Sequence, residues 1–443
     1  MRSRPPCKAS RLQALNISMK IRRMHNFEYR HGELYCEQVP VSRIAKEVGT
    51  PCYIYSYATL VRHFRAYDGA FKSIPHVIAF AMKANSNIAI LRLMAKEGSG
   101  VDIVSGGELF RALKAGVPPS KIVFAGVGKS SEEIREALKA DILMFNVESS
   151  AELQAINEVA ASVGTKARVA LRINPDIDPK THPYISTGLK KSKFGIAADR
   201  ALEEFTLASS LANIDVVGVH KHIGSQLTEV TPFVEAVKKV VKLVEALKAQ
   251  GINIRYVNIG GGLGITYSDE TPPLPQDLAD AVSPLLKNLN VTLIMEPGRV
   301  IVGNAGILVT KVLYQKDGEA KRFIIVDAAM NDLIRPSLYG AYHEIRPLSE
   351  AVLQRSKHQV DVVGPVCESG DFLAKDRSLP EVSPGDMLAV MSAGAYGFVM
   401  ASNYNSRPRV PEVLIKDGEI HVIKTRETYD DLVKGETIPA FLD

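Results

Sequence analysis

Lys83 directly follows the apolar run Ile78-Ala79-Phe80-Ala81-Met82, a place where lysine is rare because it is the buried end of a strand. An amine desolvated there, with its pKa lowered by burial, suits Schiff-base chemistry on a carbonyl. Other strand-like runs also end in chemically capable groups: Asp102 with Ser105, Asn146, Arg172, His222 with Ser225, Gly260 to Gly262, and Glu296 with Arg299. The run Gly260-Gly261-Gly262-Leu263-Gly264 follows an apolar strand, so its N–H groups can cradle a phosphate. Taken alone it reads equally as a turn, and it lacks the GxGxxG spacing of a dinucleotide fingerprint. His220 and His222 flank Lys221 and so share one side of a strand. A metal pair needs a third ligand, and no HExxH or Asp/His cluster supplies one, so no metal is expected. Either histidine alone is compatible with a satisfied core residue.

The elements that must position these groups follow a repeating order. Strand-like runs occur at 78–82, 101–104, 122–124, 142–147, 168–173, 216–221, 256–259 and 291–295. Amphipathic stretches lie between them, at 87–97, 107–115, 131–140, 150–163, 199–212 and 232–250. This α/β alternation predicts a (β/α)8 barrel of the TIM type, with an open doubly wound sheet as the competitor because alternation does not show closure. In such a barrel the chemistry sits at the C-terminal strand ends, and here those ends carry the polar and glycine signals. Caps and turns account for one or two of them, not for a lysine, two arginines, a histidine and a glutamate on one rim. After about residue 305 the pattern changes: 306–314, 322–328, 358–363, 386–391 and 412–423 read as strands without long helices between. The expected domains are a barrel over 55–304 and a mainly β domain, sandwich- or barrel-like, formed by 25–54 with 305–443.

Composition sets the outer bounds. The chain has 443 residues, 46% hydrophobic and 23% charged, with a mean hydropathy near zero. That is enough to bury two or three cores and too apolar for disorder. No apolar run reaches 18 residues, so no membrane-spanning helix is expected. The net charge of +5 is an end effect, because residues 1–23 hold seven basic side chains and no acidic one. The body is near neutral and offers no footprint for nucleic acid. Residues 1–24 read as a basic extension outside the fold, a disordered tail or a stretch preceding a true start at Met24, in preference to an Arg- and Ser-bearing targeting segment. Cys7, Cys36, Cys52 and Cys367 show no CxxC spacing, which points to a reduced, cytoplasmic protein.

One cofactor unites the site residues. Pyridoxal 5'-phosphate needs a lysine, a glycine-rich phosphate cradle, a group stacked on its ring and a partner for its pyridine nitrogen, the role for which Glu296 is placed. Nine motifs occur in order: AMKAN (81–85), VDIVSGGEL (101–109), SKFG (192–195), HIGSQ (222–226), GGGLG (260–264), EPGR (296–299), MNDLIRPSLYGAYHEI (330–345), GPVCESGD (364–371) and SAGAYGF (392–398). With them the chain resembles the fold-type III pyridoxal-phosphate-dependent decarboxylases over about residues 25–435. The resemblance implies that Lys83 bonds the cofactor, His222 stacks on its ring and Glu296 meets its nitrogen. It implies phosphate contacts from Ser225, Gly260, Gly261, Gly262, the backbone of Gly298 and Arg299, and Tyr396. Cys367 matches a proton donor contributed by a partner subunit, and Arg299, Arg335, Tyr339, Glu368 and Tyr396 match the substrate-binding set. A homodimer with shared active sites acting on a small amino acid is therefore expected. From the residues alone, Cys367 is equally a small buried hydrophobe, and Tyr339 and Tyr396 are ordinary core or interface aromatics. Asp102 and Glu108 either orient Lys83 or cap the helix near Gly107.

The likeness around RPSLYGAYHEI implies meso-2,6-diaminopimelate as substrate, converted to L-lysine and CO2 in the last step of lysine biosynthesis. Its distal carboxylate calls for an extra arginine, whose planar fork binds carboxylate bidentately. Arg299 and Arg335 fit that need, and Glu368 fits the distal ammonium. The alternative is a related decarboxylase acting on ornithine, arginine or carboxynorspermidine. An amino-acid racemase is disfavoured by Cys367, and a silent homologue by retention of both Lys83 and Cys367. A nicotinamide-dependent dehydrogenase is disfavoured because GGGLG falls at the seventh strand of the series.

Overall fold

The computed structural model describes residues 25–177 and 193–442; the basic extension read at 1–24 lies outside them. The chain divides into two units. One comprises Val61–Gly303 with Ala395–Val399, the other residues 25–60, Asn304–Gly394 and residues 400–442.

In the first unit eight strands pair in parallel, each with its successor: His76–Ala81, Gly100–Ile103, Ile122–Phe124, Met144–Val147, Ala167–Asn174, Ile214–His220, Tyr256–Asn258 and Thr292–Met295. The last returns to the first, with Leu293 opposite His76 and Met295 opposite Ile78, so the sheet closes. Closure excludes the open sheet that alternation had left possible, and the fold is the expected TIM-type barrel. Strands enclosed on both faces read as continuous apolar runs, which is why all eight were visible in the sequence. Ala79, Val123, Met144, Ala170 and Ile294 form part of the packed interior.

Serine starts three successive helices just beyond the strand ends. The side chains of Ser105, Ser130 and Ser149 accept from the backbone N–H of Glu108, Glu133 and Glu152. Each satisfies a donor that the first helical turn leaves unpaired. Gly116, at φ +77, closes Gly106–Ala115 in the left-handed region that glycine enters without cost. Two helices escaped the sequence reading. Tyr57–Ala70 is rich in aromatic residues that favour strands, and Pro275–Leu286 carries Pro284 in its interior.

The second unit is mainly β. Its sheet runs in the order Phe372–Pro380, Lys357–Val363, Arg322–Val326, Gly306–Asp317, Cys52–Ser56, Glu412–Lys416 and Glu419–Lys424. Met387–Val390 pairs with Gly306–Asp317, and Ile345–Pro347 pairs in turn with Met387–Val390. Cys52–Ser56, from the N-terminal region, lies antiparallel to Gly306–Asp317 and parallel to Glu412–Lys416. The single run read at 412–423 is two strands turning at Asp417-Gly418, both at positive φ as a tight hairpin requires. Phe372–Pro380 was not read as a strand because Lys375, Asp376 and Arg377 interrupt its apolar pattern. Helix Val41–Val48 was likewise not expected within 25–54. Among the described residues no helix is long and apolar enough to cross a membrane.

One barrel residue is out of keeping with its surroundings. Lys221 is fully buried, with Nζ 5.3 Å from the ring centre of Phe233 in helix Thr231–Ala249 and no hydrogen-bond partner among the described residues. Burial, opposed by the charge of Glu296, lowers its pKa to about 7. The unfolded chain therefore binds the extra proton between that value and about 10.5, so stability rises with pH through this window. Below it the fold must bury an ammonium. We expect Lys221→Met to raise the melting temperature at about pH 6 and the advantage to vanish near about pH 10. A variant that melts no higher at acid pH would show that the amine is well solvated or paired.

Candidate active site

The C-terminal strand ends bring the predicted barrel residues together. Lys83 lies in the single turn Met82–Ala84 after the first strand, and its Nζ is 2.7 Å from Asp102 Oδ2 on the second. Asp102 is fully buried, and its Oδ1 has no partner among the described residues. The lowered pKa expected for Lys83 is not what the geometry produces. Burial pulls it down, but Asp102, Glu296 and Tyr396 outweigh burial and hold it well above its ordinary value. Burial and the neighbouring Glu296 carboxylate push Asp102 up to about 7, with the Lys83 cation opposing. Glu108 does the capping work: its carboxylate accepts from the Val104 N–H.

Glu296, just past the eighth strand, is nearly inaccessible. Its Oε1 accepts from Asn258 Nδ2 at 2.6 Å and Asn146 Nδ2 at 3.1 Å, and His220 Nε2 lies 3.5 Å from Oε2. Burial alone would raise its pKa, but His220, Lys83 and His222 hold it well below the usual carboxylate range. Sequence reasoning had assigned His220 no role and had not seen Asn258; the polar residue at the end of an apolar strand was the available signal. The two histidines part company. His220 belongs to the Glu296 cluster, whereas His222 Nδ1 accepts from the Gly261 N–H at 3.2 Å. Burial, reinforced by the cations of Arg172 and Lys83, keeps His222 neutral by pushing its pKa far down.

The glycine loop is sterically obligatory. A side chain at Gly261 would meet the Glu296 carbonyl oxygen at 2.1 Å, and one at Gly262, where φ is +120, would meet the Gly224 oxygen at 2.5 Å. Gly298 starts the short helix Arg299–Val302, packed against Ala81 and Ala84. Arg299 is buried between two rings, its guanidinium carbon 4.8 Å from the centre of Tyr396 and 5.8 Å from that of Tyr267. It donates to Tyr267 Oη at 2.6 Å and, through Nη2, to Ser225 Oγ at 3.1 Å. Tyr267 was missed because nothing in sequence marks a tyrosine five residues past a glycine run. Tyr396 has φ +56, rare for a bulky residue, and its N–H donates to the Ala84 carbonyl beside Lys83. Arg172, read as part of the rim, is instead neutralised by Glu148 at 2.6 Å and stacked on Phe194.

The remaining predicted residues lie in the β unit. Arg335 opens the short helix Arg335–Tyr339, buried, with Nη1 2.8 Å from His343 Nε2. Cys367 and Glu368 are exposed on one loop, where the Cys367 N–H donates to Asn405 Oδ1 at 2.8 Å. Buried Asp371 ties that loop to the next, accepting from the N–H groups of Met330 and Val366 at 2.7 Å. Tyr339 is half-buried.

These features fit pyridoxal phosphate on this chain's own terms. An amine, a half-satisfied buried carboxylate, a cradle that any side chain would fill, and a carboxylate kept ionised without solvent stand at one end of a closed parallel barrel. They define the class of barrel-type pyridoxal-phosphate enzymes. Residues 57–303 match the family model described as the pyridoxal binding domain of pyridoxal-dependent decarboxylases. The chain is 53% identical over 408 residues to a diaminopimelate decarboxylase of Aquifex aeolicus, covering 92% of this chain and 96% of the relative. It is 52% identical to one of Vibrio cholerae, covering 94% and 99%. The crystal structure of diaminopimelate decarboxylase from Helicobacter pylori complexed with L-lysine superposes with a TM-score of 0.86 at 49% identity, over 89% of this chain and 98% of that one. The corresponding M. jannaschii complex gives 0.89 at 42%, over 94% and 99%. The chain belongs to the diaminopimelate decarboxylase family of pyridoxal-dependent decarboxylases.

A test follows from the cradle. Gly261→Ala must displace the strand end that carries Glu296; overpacking of this kind costs about 1–3 kcal/mol, which, taken from cofactor binding, is about fivefold to 150-fold in affinity. We expect the variant to lose pyridoxal phosphate on gel filtration, read by cofactor absorbance, under conditions where the parent keeps it. Full retention would show that the loop yields elsewhere.

Proposed function

We infer that the chain decarboxylates meso-2,6-diaminopimelate to L-lysine and CO2 with pyridoxal phosphate, the last step of lysine biosynthesis. The observation that carries this reading is Lys83 Nζ held 2.7 Å from Asp102, at the barrel end that also holds Glu296 and the glycine loop, in a chain of this family. When bound, the cofactor supplies the conjugated electron sink for the electron pair released as the carboxylate leaves. Lys83 would be the amine that holds it, at the position the substrate amine would take over. To act as a nucleophile Nζ must lose a proton, and Asp102, its acidity weakened to about 7, is the contacting group able to receive it. Glu296, kept ionised by Asn146, Asn258 and His220, holds a proton at the pyridine nitrogen. Neutral His222 presents an uncharged ring face for stacking, its orientation set by the Gly261 N–H. Ser225, Gly260, Gly261, Gly262, the backbone at Gly298 and Arg299, and Tyr396 are the proposed phosphate contacts.

On the substrate side, Arg335 and Arg299 are proposed for the distal carboxylate, Glu368 for the distal ammonium, and Tyr339 and Tyr396 for the remaining contacts. Cys367 of the partner subunit is the proposed proton donor to the α-carbon, which makes the working enzyme a homodimer with shared sites. In its favour, Cys367 and Glu368 are exposed on a single chain, as groups offered to a neighbour must be. A cytoplasmic setting belongs to the same reading and rests on the cysteine usage and the metabolic substrate.

The primary test is production of lysine and CO2 from meso-diaminopimelate by the loaded protein, with ornithine and arginine in parallel. Turnover of diaminopimelate alone is expected, and turnover of either other substrate instead would overturn the distal-pocket assignment. Arg335→Lys is expected to raise KM for diaminopimelate about tenfold or more, with cofactor absorbance intact, because a point charge replaces a bidentate fork; an unchanged KM removes Arg335 from the site. Mixing inactive Lys83→Ala and Cys367→Ala proteins is expected to restore about a quarter of the parent activity, since half of randomly re-formed dimers are mixed and each has one intact site. No recovery on exchange would mean that both residues serve one chain.

A further inference from the structure

The motif HIGSQ supplies His222 and Ser225 to the reading above and leaves Gln226 without a task. Gln226 has φ +60, in the left-handed region that glycine enters without cost and a long side chain does not. What the side chain does there must offset that cost. Its carboxamide meets one residue of the neighbouring loop twice: Nε2 donates to the Ile265 carbonyl at 2.6 Å, and Oε1 accepts from the Ile265 N–H at 3.1 Å. An amide carries donor and acceptor side by side, so this pairing serves both backbone groups of Ile265 and fixes which way the amide faces. Two backbone bonds lie beside it. The Leu227 N–H donates to the Gly262 carbonyl and the Gly264 N–H to the Leu227 carbonyl, each at 2.9 Å, and Leu227 bridges Leu263 in parallel. The approach is close enough that a side chain at Gly264 would meet the Leu227 oxygen at 2.8 Å.

These bonds form the outer end of a closed frame. Its inner end lies where the sixth and seventh barrel strands stop pairing, with the Lys221 N–H donating to the Asn258 carbonyl at 2.9 Å. Ser225 and the glycines 260 to 262 stand between the two ends. A loop held only at its strand would have to be ordered again each time several of its N–H groups gripped an anion, and a second anchor removes that cost beforehand. Lys83 and Glu296, which follow the first and eighth strands, lie outside the frame, so loosening it leaves their placement alone. We propose that Gln226 is a positioning residue for the phosphate cradle: its amide clasps the loop bearing Ser225 to the glycine loop and sets the spacing that favours the phosphorylated cofactor over its unphosphorylated form. This rests on the reading of Ser225 and Gly260 to Gly262 as phosphate contacts.

The test strips the full chain of cofactor and measures, by equilibrium dialysis, its affinity for pyridoxal phosphate and for pyridoxal, which keeps the ring and aldehyde but lacks the phosphate. The ratio of the two dissociation constants reads the cradle alone. Gln226→Met removes both amide bonds at similar bulk and should lower the preference for the phosphorylated form about fivefold or more, the range for losing two neutral hydrogen bonds. Affinity for pyridoxal should stay within about twofold, because its anchors are remote from the clasp. Gln226→Gly, which suits φ +60 but lacks the amide, should lower the preference likewise, and it carries the comparison if the methionine variant does not fold. Ser225→Ala, at a proposed phosphate contact, should lower it as well. Two results overturn the proposal: equal losses for both ligands, the mark of a residue that only stabilises the fold, or an unmoved ratio where Ser225→Ala lowers it. If Ser225→Ala also leaves the ratio unmoved, the phosphate reading of this loop has failed and the inference falls with it.

Discussion

A carboxylate must stay ionised without water at the mouth of this barrel, and much of the architecture answers to that constraint. An isolated buried charge is costly enough that a lone glutamate there would take up a proton. Glu296 avoids this because Asn146 and Asn258 donate to it and His220 approaches it from a third strand. Those donors end the fourth, seventh and sixth strands, which an open sheet would spread over several strand widths. Curling the sheet until the eighth strand meets the first is what lets them converge on one point.

The same charge organises its neighbours. Asp102 sits close enough to Glu296 to lose acidity, and Lys83 is drawn into compensating both. The glycine loop presses on the carbonyl of Glu296 and returns an N–H to His222, so His222 and Glu296 are tied to one stretch of backbone. The barrel site is a single electrostatic unit rather than a list of contacts.

The sequence disclosed the parts of this arrangement that repeat or that bear their chemistry openly. Eight mainly apolar runs, each enclosed on both faces, were legible, and the polar residues at or just past their ends marked the rim. Closure was not legible, since hydrogen bonding between Thr292–Met295 and His76–Ala81 leaves no trace in local composition. Arg172 was over-read because its partner Glu148 stands 24 positions away. Tyr267 and Asn258 act through other side chains, and a residue whose only task is to hold a neighbour has no spacing signature. The electrostatics of Lys83 were misjudged for a related reason. Burial is readable from an apolar flank, whereas the carboxylates that reverse its effect come from two other strands.

One detail of connectivity bears on how the enzyme is made. The barrel unit is continuous from Val61 to Gly303 except for Ala395–Val399, which supplies Tyr396 against Arg299 and Ala84. On the ribosome the eight strands emerge and can close long before that segment is synthesised. A nascent or truncated chain can therefore hold all eight strands yet lack Tyr396 beside Arg299 and Ala84. On the proposed role of Tyr396, the phosphate site is complete only when nearly the whole polypeptide exists.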